Sequence, residues 1–180
     1  MSNRTLNTLL IFAAIFLFAV LGFTLYTISM IISDGLTVTL IADMAQFLTT
    51  AFAIYYILAG CNKKDGARYF RMFMILNALS ILIQLAFVDQ TAIFRLMFAV
   101  IFASLCLLAF AKDLGQKKSI TLASIVVAFS VVALVLELVV AKATEYAALT
   151  VFVTQVILGL ATLLMVVAKY DDKKQRGSKT

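Results

Sequence analysis

The sequence predicts an all-α, polytopic integral membrane protein, one bundle of six transmembrane helices with both termini cytoplasmic. Three observations carry this expectation. Hydrophobic side chains make up 64% of the 180 residues and charged ones 13%, against roughly 45–50% and 25% in soluble domains. The apolar residues fall into six runs of about 20 residues, the length that crosses a bilayer as a helix. The segments between the runs are short, so residues 1–168 read as a single transmembrane domain and 169–180 as a flexible, charged cytoplasmic tail.

The first run, Leu9 to Ile32, is longer than the apolar core of about 7–15 residues found in a secretory signal, and it leads directly into more apolar chain. It is therefore expected to stay as a first span. After the turn Ser33-Asp34-Gly35, the second span covers Leu36 to Ala59, with Tyr55 and Tyr56 near its end at the depth of an aromatic interfacial belt. The basic turn from Cys61 to Gly66 leads to a third span, Tyr69 to Val88, and Asp89-Gln90 to a fourth, Thr91 to Ala111. The polar loop Lys112 to Lys118 precedes the fifth, Ile120 to Val140, and the sixth runs from Tyr146 to Ala168.

Orientation follows from the basic residues, which accumulate in cytoplasmic loops. The N-terminus, the second-to-third and fourth-to-fifth loops and the tail together hold thirteen of the fifteen Lys and Arg, against four acids. The opposite side keeps only Arg95 and Lys142, against five acids. Positive-inside bias and anionic lipid headgroups account for the basic face, so the lipid bilayer is the expected partner and nucleic acid is not.

Absent residues exclude chemistry. The chain has no His, Trp or Pro, so the usual general base near neutral pH and the commonest metal ligand are missing. Cys61 and Cys106 stand apart and form no Cys-x-x-Cys unit. No nucleophile elbow or metal-ligand spacing is present. No catalytic activity, metal or cofactor is expected. The absence of Pro and the scarcity of Gly within spans also predict continuous helices, unlike the broken helices at many transporter sites.

Polar residues inside the spans point to function. On span two, Asp43, Gln46 and Thr50 recur at i, i+3 and i+7, and on span three Asn77, Ser80 and Gln84 do the same. This spacing puts each trio on one helix face. If the spans pack antiparallel, Asp43 comes level with Gln84 and Thr50 with Ser80, and Tyr26 of span one lies near the depth of Asp43. Together these seven side chains form a candidate site, with a carboxylate, amides and hydroxyls suited to a small polar or cationic solute. The competing reading is interhelical hydrogen bonding, which joins membrane helices for about 0.6 kcal/mol per contact.

Two other groupings stand out. Arg95 and Glu137 on spans four and five come level when counted from their shared loop, as a structural ion pair would require. Small residues allow close helix approach: Ala99 and Ala103 on span four, Ser124 and Ala128 on span five, and Gly159 with Thr162, beside Gln155, on span six. Ala99 and Ala103 are the candidate docking face for a membrane protein partner or a second copy of the chain. Two functional expectations follow. One is binding or transport of a solute along a polar path between helices two and three, and the other is a non-catalytic membrane subunit or assembly factor.

Overall fold

A long apolar run without Pro satisfies its backbone hydrogen bonds most simply as a helix, and each of the six runs is helical. A computed structural model of the chain describes residues 3–32, 38–58, 66–87, 91–111, 114–141 and 146–177. The turns expected around 33–35, 61–65, 89–90 and 112–113, and the side chains of Tyr26 and Asp43, lie outside the described residues. Six α-helices are found among them: α1 (Asn3–Ile32), α2 (Val38–Leu58), α3 (Gly66–Phe87), α4 (Ala92–Phe110), α5 (Gln116–Leu136) and α6 (Tyr146–Gly177). A π-helical turn, Glu137–Ala141, continues α5.

Four of these helices hold stretches long and apolar enough to cross a membrane: Arg68–Ala86, Ala92–Phe110, Gln116–Val139 and Phe152–Tyr170. The described apolar stretches of α1 and α2 are shorter, Ile11–Gly22 and Met44–Tyr55. The outer surface is itself apolar, with Leu96, Phe110 and Val139 each about two-thirds exposed. Such a surface suits lipid better than water.

The helices form a closed ring in chain order. Each packs on the next, α6 returns to α1, and α6 also reaches α2 and α3. Close contacts fix the directions. Tyr55 and Tyr69 meet edge to face with ring centroids 5.6 Å apart, and about two turns farther along, the Thr49 hydroxyl donates to Leu76 O at 3.1 Å. α2 and α3 are thus antiparallel. On the other side of the ring, Tyr170 bonds Ser119 near the start of α5 while Gly159 lies against Val127 and Ser130, so α5 and α6 are antiparallel too. A Cβ added at Gly159 would stand 3.5 Å from Val127 Cα. The small residue therefore lets the two backbones approach. Phe152 of α6 packs against Phe94 and Phe98 of α4, centroids 5.3 and 5.8 Å apart.

α6 extends beyond Ala168 into the charged segment, as far as Gly177. Asp172 precedes Arg176 by four residues, a spacing that supports a helix, and Lys, Gln and Arg are good helix formers.

Candidate functional site

The polar side chains of α2 and α3 are turned inward. Gln46, Thr49 and Thr50 on α2 and Asn77, Ser80 and Gln84 on α3 are all buried, none more than 3% exposed. Outward-facing positions between them, such as Met44, Leu48, Leu79 and Leu82, are exposed. The i, i+3, i+7 stripes of the two helices therefore share one interior. Their register differs from the simple count. With Thr49 opposite Leu76 and Tyr55 opposite Tyr69, Gln46 lies level with Ala78 and Leu79, and Thr50 with Met74 and Ile75. α2 ends at Leu58 and α3 begins at Gly66, and these ends set the pivot about a turn from where Thr50 would meet Ser80.

A third wall comes from α6. Thr154, Gln155 and Thr162 are buried there, each at most 1% exposed. The Lys169 ammonium sits 4.3 Å from the centroid of the Phe70 ring, which ties the register of α6 to that of α3. Gln155 precedes Lys169 by as many residues as Gln84 follows Phe70, so the two glutamines lie at one level, and Thr162 likewise lies level with Asn77. The belt from Asn77 to Gln84 is about 10 Å tall at 1.5 Å per residue.

The hydroxyls and amides of this belt behave differently. Thr50 donates to Gln46 O and Thr162 to Leu158 O, both at 2.8 Å, each closing a bond within its own helix. Thr49 shares its one hydroxyl proton between Ala45 O at 2.8 Å and Leu76 O at 3.1 Å. Leu76 O is the carbonyl one turn before Ser80, the acceptor a helical serine normally uses. With the Thr49 hydroxyl on it, Ser80 Oγ is left without a partner. The amides have no such local option, and Gln46 Nε2, Asn77 Nδ2 and Oδ1, Gln84 Oε1, and Gln155 Nε2 and Oε1 are likewise buried and unpartnered. Among the described residues, every buried side-chain N or O atom lacking a partner belongs to this belt on α2, α3 and α6. Native interiors leave few such atoms, and each costs about 1–3 kcal/mol.

The remaining sequence candidates differ in exposure. Arg95 is exposed in the first turn of α4, whereas Glu137 is buried at the start of the π-helical turn. Ala99 and Ala103 are both exposed on α4, and Ser124 and Ala128 on α5. Gly159 and Thr162 face inward, so that small-residue face is spent on packing inside the bundle. Cys106 is a free, half-buried thiol on α4. No group of three or more His, Cys, Asp or Glu side chains that could hold a metal ion occurs among the described residues.

Sequence reasoning gave Gln155 only a place beside a small-residue face. The signal was present: Gln155 and Thr162 repeat the i, i+7 separation of Asn77 and Gln84. No protein-family model, curated protein or solved structure matches the chain.

Proposed function

We propose that the chain is a six-span protein of the cell membrane, both termini cytoplasmic, that binds or transports a small polar or cationic solute at the buried belt of α2, α3 and α6. The cluster of buried amide atoms without partners carries this reading. Interhelical glue would require those amides to be bonded across the helix interfaces. In the belt they are not, although the helices carrying them pack together. A guest offering hydrogen bonds would satisfy them, offsetting a cost that the apolar shell cannot relieve. The reading contains no catalytic step.

Mass spectrometry under native conditions, on protein extracted gently from its own membrane, tests this. A small molecule retained by the wild type and lost from the Asn77→Leu/Gln84→Met variant supports a solute-binding protein, provided the variant keeps its helical circular dichroism. Retention of the same molecule by the variant would contradict the assignment of the belt.

One observation favours a second reading, a non-catalytic membrane subunit. Ala99 and Ala103 lie one turn apart on α4 and are both exposed, leaving a shallow face against which another helix could pack. Enlarging both to Leu should then release a stoichiometric protein partner or a second copy. Recovery of the same complex from that variant would remove α4 as the docking face.

A further inference from the structure

Both ends of two carboxamides in the belt, Asn77 on α3 and Gln155 on α6, are buried and unpartnered. Whichever way either amide is turned, it offers one donor and one acceptor side by side. A desolvated cation takes oxygen ligands and is opposed by N–H groups, and an anion is opposed by carbonyl oxygens. A wall that presents both in pairs matches a molecule presenting both in return. The other described members of the belt, Gln46, Ser80, Gln84 and the threonines of α2 and α6, are neutral as well. An ion bound among them would find no opposite charge on these side chains, and for a cation only Asp43, three residues before Gln46 in sequence, could supply one. We infer that the belt selects an electrically neutral solute that carries a donor and an acceptor on neighbouring atoms, and that Gln155 is one of its specificity-determining residues. A carboxamide and a vicinal diol both present this pair. The inference rests on the solute-binding reading above and narrows it.

Acetamide, acetamidinium and acetate have nearly the same shape and differ in charge, and glycerol supplies the diol. Each would be tested as a probe against the full-length protein, by thermal unfolding in detergent and by stopped-flow light scattering of proteoliposomes under an osmotic gradient of the probe. Acetamide, glycerol or both should raise the unfolding temperature or cross faster than in protein-free vesicles, and acetate and acetamidinium should do neither. Gln155→Leu should weaken the response about tenfold, the equivalent of one hydrogen bond. Gln155→Met, closer in shape, should do the same if the leucine variant does not fold. Tyr170→Phe, at the far end of the bundle, should leave the response to the neutral probes in place. A response to acetamidinium alone, lost in Asp43→Asn, would overturn the neutral-solute inference while leaving a binding site. No response to any of the four probes, together with no small molecule retained from the native membrane, would overturn both.

Discussion

Two polar regions of this bundle are built from similar residues and reach opposite outcomes. At the end of the bundle carrying Arg68, Arg71, Lys117 and Lys118, the Tyr170 hydroxyl donates to Leu114 O. Its single proton is thereby used, so it must accept from the Ser119 hydroxyl, 3.0 Å away. The neighbouring Lys169 ammonium lies over the Phe70 ring. These groups line a small cavity with Leu108 and Ala111, yet the two hydroxyls are satisfied by protein alone. In the belt, the polar groups sit deeper and Asn77, Ser80, Gln84 and Gln155 retain unbonded atoms. A satisfied network ties α5 and α6 together, whereas an unsatisfied one weakens the empty fold. Buried polar groups earn no stability merely by being buried; the bonds decide.

The sharpest contrast between the two regions is in solute retention. Asn77→Leu with Gln84→Met should lower it more than tenfold, two hydrogen bonds being lost, as read by native mass spectrometry. Tyr170→Phe should not change it. Equal loss in both variants would mean that retention follows general bundle integrity.

Packing without polar chemistry gives the next largest effect. Gly159→Leu should cost about 1–3 kcal/mol by forcing α6 from α5, measured by thermal unfolding in detergent. Gly159→Ala should be nearly neutral, since its nearest contact is an ordinary 3.5 Å. Tyr170→Phe should cost about 1 kcal/mol, because Leu114 O and Ser119 lose a partner in a region where the bonds are made.

The smallest expected change is the most local. Thr49→Val removes the bond to Leu76 O and should cost about 0.6 kcal/mol. It also frees that carbonyl for Ser80, so Ser80→Ala should be more destabilising in the Thr49→Val background than in the wild type. Additive effects of the two substitutions would show that the hydroxyls do not compete for one acceptor.

The helices and their inward polar faces were legible because both are local properties. Run length and a spacing of three, four and seven residues need no knowledge of the partner helix. Gln46, Thr50, Asn77, Ser80 and Gln84 are buried together for that reason. Register was less legible: the Thr50 level depends on where α2 stops and α3 starts, and one turn of error there moves the pairing by about 5 Å. That Arg95 is exposed and Glu137 buried was not legible either, since level alone says nothing about the direction a side chain faces. The role of α6 as a third wall depends on ring closure, a long-range outcome with no signature in its own sequence beyond the spacing of Gln155 and Thr162. That α6 stays helical to Gly177 reflects helix propensity in a segment whose charge suggested a solvated tail.

The measurement that tests the central claim most directly is the stability of the belt variant Gln155→Met without any added solute, with Tyr170→Phe as its reference, by thermal unfolding in the same detergent. If the amide is held unpartnered for a guest, removing it relieves a burial cost of about 1–3 kcal/mol. Gln155→Met should then unfold at the wild-type temperature or above it, and Tyr170→Phe below. A Gln155→Met protein destabilised as much as Tyr170→Phe would show that the belt amide is bonded within the fold, and would contradict the account.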